Sequence, residues 1–78
     1  MLIDVVEVSP LPAYRLSLVF SDGMRGIFDM TPYLDTGQYR RLRDPHVFSL
    51  VHADCFTASW PGGIDIAPER LYMECTPL

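Results

Sequence analysis

His46, His52, Asp54 and Cys55 fall close together in the chain, and imidazole, carboxylate and thiolate are the groups that hold zinc. A structural zinc site needs about four such ligands converging as a tetrahedron. The spacing here works against that. Residues 52–60 alternate as a strand does, so His52 and Asp54 share a face and Cys55 points away, while His46 falls in the first turn of a preceding helix. Neither Cys-x-x-Cys nor His-Glu-x-x-His occurs. No metal and no cofactor is expected. Paired with Cys55 or Cys75, the same histidines would make a nucleophile only with an aligned base and an oxyanion hole. Nothing local builds either, so no catalytic residue is assigned and the chain is read as a non-enzyme. The two thiols are read as free cysteines in a chain without a secretion signal.

The carboxylates point to structure. Asp22, Asp29, Asp35, Asp44 and Asp65 all sit at turns or element ends, where aspartate caps its own backbone. Asp65 stands apart. It lies between Ile64 and Ile66, after Gly63 and before Pro68, placed to accept N–H groups of a following helix or to line a small pocket with Trp60 and Tyr72. Those three are the candidate pocket. Gly62-Gly63 carries no following Lys-Ser/Thr, so phosphate cradling is dismissed.

The chain has 78 residues and a net charge of −4, with six cations, all arginine, against ten carboxylates. Such a balance repels phosphate backbones unless the cations gather on one face. Arg40, Arg41 and Arg43 form the one local cluster. On a helix Arg40 and Arg43 share a face and Arg41 points elsewhere. Nucleic acid is therefore not expected as a partner of the isolated domain. No run approaches the roughly 18 apolar residues of a membrane helix, and the start lacks the basic and apolar regions of a signal peptide, so no membrane is involved and a cytoplasmic location is expected.

These side chains must be held by elements that the hydrophobic pattern outlines. Residues 1–78 are read as a single domain. Residues 2–8 are a first strand, ended by Ser9-Pro10-Leu11-Pro12. Tyr14 to Phe20 alternates as a second, with Tyr14, Leu16, Leu18 and Phe20 on one face. Asp22-Gly23 turns the chain into a third strand, Met24 to Asp29. A two-residue loop there sets Ile27 opposite Leu18 and sends Phe28 to the face opposite the core. Thr31-Pro32 and Asp44-Pro45 are cap-plus-proline helix starts, and Gly37 marks a helix stop or bend. Residues 52–60 return to alternation, with Phe56, Ala58 and Trp60 on one side. A Pro61-Gly62-Gly63 corner, Ile64-Asp65-Ile66 and a last helix from Pro68 to about Glu74 follow. The core is expected to join Trp60, Phe56, Leu18, Phe48 and Leu71. The fold class is α+β: a small antiparallel sheet of four to five strands with two or three short helices packed mainly on one face.

The ordered series Pro10-Leu11, Tyr14-x-Leu16-x-Leu18-x-Phe20, Asp22-Gly23, Asp29, Pro32-Tyr33-Leu34-Asp35-x-Gly37, Tyr39, Leu42, Asp44-Pro45-x-x-Phe48-x-x-Val51, Trp60-Pro61-x-Gly63-x-Asp65 and Pro68-x-x-Leu71-Tyr72 resembles the family called domain of unknown function 2442. The match runs over nearly the whole chain. Ala67, before the final proline, departs from the capping type usual there and cannot cap through its side chain. The resemblance implies a small bacterial accessory or regulatory module, in some members of a toxin–antitoxin-like arrangement or joined to a DNA-binding domain. It supplies no catalytic residues.

Three functions follow as expectations. The first is a non-enzymatic protein-interaction module that binds a protein partner or itself as a weak homo-oligomer. Its candidate surface comprises Val19, Phe28, Arg40, Arg41 and Arg43, with the contact on the hairpin side. The second is a nucleic-acid-linked regulator using the arginines. The third is a small-molecule or enzymatic site near Trp60 and Asp65.

Overall fold

A computed structural model describes residues 3–54 and 56–78. Readings that rest on Cys55 lie outside the described residues. The chain runs β1 (Val5–Leu11), β2 (Arg15–Phe20), β3 (Arg25–Asp29), two 3-10 helices (Thr31–Tyr33 and Gly37–Arg43), α1 (Pro45–Phe48), β4 (His52–Asp54), β5 (Thr57–Trp60), β6 (Ile64–Ile66), α2 (Pro68–Glu74) and β7 (Thr76–Pro77). The strands make a four-stranded sheet, β1-β2-β3-β7, and a three-stranded sheet, β4-β5-β6, with every pairing antiparallel. The α+β class and the four-stranded antiparallel sheet are as expected from the sequence. The second sheet is an addition, and it meets the first where the Val5 N–H donates to the Phe56 carbonyl at 2.9 Å.

The hairpin between β2 and β3 decides which side chains face inward. Its loop has three residues, Ser21-Asp22-Gly23, and Phe20 and Met24 close it. Gly23 takes φ +90°, the left-handed position that ends a three-residue loop. The extra residue shifts the register by one. Leu18 lies opposite Gly26, Ser17 opposite Ile27 and Leu16 opposite Phe28. Phe28 therefore joins Leu16, Leu18, Phe20 and Met30 in the core, and Ile27 takes the outer face. The expected placement of Phe28 on the outer face is corrected for that reason.

Against this inner face pack Trp60, Ile64 and Ile66 from the second sheet, Phe48 from α1, Leu71 from α2, and Leu34 and Leu42 from the 3-10 segments. Trp60, Leu18, Phe48 and Leu71 are core residues as expected. Phe56 is not: it is 56% exposed. It sits in the turn that breaks residues 52–60 into two paired strands, His52 against Ser59 and Asp54 against Thr57. A single alternating strand was the wrong reading of that segment. β1 also runs further than expected, to Leu11, with Pro10 opposite Leu16. A proline is tolerated on a strand at a sheet edge.

Asp22, Asp29 and Asp44 bond nearby backbone as read, and Asp35 and Asp65 do not. Asp44 accepts the His46 N–H at 2.9 Å and caps α1. Asp29, and not Thr31, starts the first 3-10 turn by accepting both the N–H and the hydroxyl of Thr31. Pro61-Gly62-Gly63 joins β5 to β6 with φ of +93° and +80° at the two glycines. α2 spans the expected residues, and its N-cap, Ala67, makes no side-chain cap.

Candidate functional site

The arginine cluster lies on the second 3-10 helix. That geometry repeats every three residues, so Arg40 and Arg43 share a face. Both are engaged with one loop residue: the Arg40 Nε donates to the Asp35 carbonyl at 3.1 Å, and Arg43 pairs with the Asp35 carboxylate at 3.4 Å. Arg41 points elsewhere and lays its guanidinium on the Pro61-Gly62-Gly63 turn. A Cβ at Gly62 would come within 2.5 Å of it. The three cations thus pack locally and do not converge on one empty point.

Trp60, Asp65 and Tyr72 are not brought together. Trp60 is buried, and its indole N–H donates to the Phe48 carbonyl at 2.9 Å. Asp65 is exposed, lies opposite Ser59 in the sheet, and offers its backbone carbonyl to the Tyr39 hydroxyl at 2.8 Å. Its carboxylate does not cap α2. Tyr72, within that helix, lies edge-on to Phe20 and donates its hydroxyl to Asp22 at 2.7 Å.

Tyrosines anchor the fold, which the sequence reading missed. The Tyr14 hydroxyl donates to the Arg43 carbonyl and the Tyr33 hydroxyl to Glu74. Arg70 lies over the Tyr33 ring, 5.8 Å from its centre. These bonds set the local acid–base properties. The Tyr72 hydroxyl, then the Met24 N–H, hold Asp22 below the usual carboxylate range, and the same bond raises Tyr72. The Thr31 N–H and hydroxyl lower Asp29. Glu74 raises Tyr33, and burial raises Tyr39 and the Cys75 thiol. Each shift accompanies a bond or a burial that holds one element to another. Among the described residues no group of three His, Cys, Asp or Glu side chains is placed to hold a metal ion, and no helix is long and apolar enough to cross a membrane.

What remains open is the outer face of the four-stranded sheet. The core residues of the helices and of β5 and β6 pack on the inner side. Outward alternation gives three rows across the strands: Glu7-Val19-Arg25, Ser9-Ser17-Ile27-Thr76, and Leu11-Arg15-Asp29. Leu11, Ser17, Val19 and Ile27 are half-buried; Glu7, Arg15, Arg25 and Asp29 are exposed around them. β4 is the exception to the inner placement of the second sheet: its His52-Ala53 segment stands beside β1 and, with Arg25, walls a trough of about 470 Å³ over the first row and part of the second. Of the residues proposed from the sequence for an interaction surface, Val19 lies here. Phe28 is in the core, and the three arginines lie on the 3-10 helix. Arg25, Ile27 and Asp29 were missed, because their orientation depends on the three-residue loop.

A second cleft, of about 330 Å³ and mostly apolar, opens at the other end of β1 between Pro10-Leu11-Pro12-Ala13 and the Tyr14 and Phe48 rings. The turn beside it holds Ala13 and Tyr14 at φ of +65° and +59°, left-handed positions that are uncommon for residues with a Cβ. The Tyr14 ring, edge-on to Phe48, and its hydroxyl bond secure that turn.

A family described as "Protein of unknown function (DUF2442)" matches residues 5–77. No curated protein and no solved structure matches the chain.

Proposed function

Because the chain belongs to the DUF2442 family, whose description leaves function open, we propose from the geometry alone that it is a non-catalytic protein-interaction module of the cytoplasm. Its contact surface is the outer face of the β1-β2-β3-β7 sheet. The observation that carries this reading is the contrast between the two faces. The inner face is filled by both helices and a second sheet. The outer face carries Val19 and Ile27 half-buried beside Glu7, Arg15, Arg25 and Asp29, with half-buried Leu11 at its β1 corner. An antiparallel sheet tolerates water on one face when that face is polar; apolar centres rimmed by charge are how contact surfaces are built. A regulatory role, as a small protein that acts by holding another, fits this arrangement.

The acid and base groups support the non-catalytic part. Asp22, Asp29, Tyr33, Tyr39 and Tyr72 spend their hydrogen bonds within the fold. Protein contact is also better supported than nucleic-acid contact, since Arg40 and Arg43 already engage Asp35.

A photo-reactive amino acid placed at Val19, with one at Arg41 as the control, tests the reading in the cell of origin. Adducts at position 19, to a second copy or another protein, are expected. Adducts at position 41 alone, or a salt-dependent complex with duplex DNA, would overturn it.

A further inference from the structure

We propose that this sheet face is complementary to itself, so that one partner it takes is a second copy of the chain, related by a two-fold axis along the Ser9-Ser17-Ile27 row. The inference rests on the interaction-face reading above. Its basis is the placement of charge on either side of that row.

Arg25 and Asp29 lie on β3 two residues to either side of Ile27, and both are exposed. On β2, Val19 and Arg15 flank Ser17 in the same way, and on β1, Glu7 and Leu11 flank Ser9. A two-fold axis along the middle row exchanges the outer two. Arg25 then faces Asp29 of the second copy, about 6.6 Å from the axis at about 3.3 Å per residue. Arg15 of the second copy comes over Val19, beside Glu7, where its stem can cover the valine and its head can reach the carboxylate. All four charges of the face find an opposite one, and Ile27 meets Ile27. The shape follows the same exchange. The Glu7-Val19-Arg25 row lines the trough, and Leu11, Arg15 and Asp29 are absent from its lining, so the Arg15 row of one copy can enter the trough of the other. The other in-plane axis, along the strands, would set Arg15 on Arg15.

The four charges make no ion pair among the described residues, although the Arg15 Nε donates to the Pro12 carbonyl at 3.3 Å and one Asp29 oxygen accepts from Thr31. Among the described residues the ion pairs are Arg43–Asp35 and Arg70–Glu74, and neither uses Glu7, Arg15, Arg25 or Asp29. Three strands and five residues give a footprint on the order of 300 Å². A stable complex covers about 800 Å² per partner. The dimer is therefore weak, and its charge pairs decide its specificity.

Sedimentation over a concentration series, at low and moderate salt, tests this with charge swaps. Wild type should associate weakly and lose association as salt rises. Arg25→Glu and Asp29→Arg, each alone, should raise the dissociation constant at least about tenfold, because each sets like charges together at both ends. Mixed in equal amounts, the two variants should associate with each other about as well as wild type does with itself. Asp29 also holds Thr31, so a second pair leaves that turn intact. Glu7→Arg and Arg15→Glu should each stay monomeric and should recover association when mixed. Circular dichroism melts confirm that each variant is folded. A strict monomer for wild type at millimolar concentration would overturn the self-pairing, as would variants that associate like wild type, or a mixture that stays monomeric. In each of those cases photo-adducts from Val19 to a different protein would leave the interaction-face reading standing.

Discussion

Replacing Trp60 by alanine should come close to unfolding this domain. The indole is buried with 2% exposure, packs against Phe48 at 6.1 Å between ring centres, and donates to the Phe48 carbonyl. Truncating a buried aromatic of this kind costs about 3–5 kcal/mol. The Phe48 carbonyl also loses the indole donor but keeps the Val51 N–H at 3.3 Å, so the lost bond adds about 0.5–1.5 kcal/mol. At roughly 0.05–0.15 kcal/mol per residue, 78 residues give a total stability of about 4–12 kcal/mol. Trp60→Ala therefore removes more than a quarter of that stability, and where the total is smallest nearly all of it. Trp60→Phe separates the two contributions: it keeps a ring in place and removes the N–H, and should lose about half as much. Urea denaturation followed by far-UV circular dichroism measures both, since the variants lack the only tryptophan. A loss below about 1 kcal/mol for Trp60→Ala would place the indole outside the core and refute the packing described.

Three further outcomes follow from single contacts. Gly26→Ala should cost about 1–3 kcal/mol, because a Cβ there would come within 2.6 Å of the Cys75 sulfur and 3.2 Å of the Thr76 carbonyl; a thermal melt measures it. Ala67→Ser should raise stability by about 1 kcal/mol in urea denaturation, by supplying the side-chain cap that α2 lacks. Asp29→Asn should flatten the acid limb of a pH–stability curve. The folded-state pKa of Asp29 is lowered by its Thr31 bonds, so its contribution is present above the ordinary carboxylate range and is lost as pH falls through the lowered value. Wild type should therefore lose more stability than the variant below about pH 4.

Most of the elements were legible because their signals are local. Asp44-Pro45 names a cap and a first-turn proline, and the structure has both. Pro68 opens α2 for the same reason. Tyr14 to Phe20 alternates, and its Leu16, Leu18 and Phe20 are the core face of β2, while Tyr14 lies in the turn before it. The failures came where one residue of loop length decides the outcome. Asp22-Gly23 is a hairpin signal for either a two- or a three-residue loop. The choice between them sends Phe28 inward and Ile27 outward, and with Ile27 go Arg25 and Asp29. Phe56 was misplaced because alternation alone does not show where a strand turns back on itself. The pocket drawn around Trp60, Asp65 and Tyr72 assumed that nearness in sequence meant convergence. Asp65 alternates away from the Ile64 and Ile66 side of β6, and Tyr72 turns to Phe20 and Asp22 of the hairpin. The tyrosine anchors join residues up to fifty positions apart, and no local pattern encodes such a bond.

At the centre stands the self-pairing of the outer face of the four-stranded sheet. Amide chemical shifts of the isotope-labelled chain, recorded from micromolar to millimolar concentration, test it most directly. Concentration-dependent shifts are expected at Glu7, Arg15, Ser17, Val19, Arg25, Ile27 and Asp29, with Gly37–Arg43 unmoved. Shifts confined to the 3-10 helix and the Asp35 loop, or a spectrum that does not change at any residue of β1, β2 and β3, would contradict it.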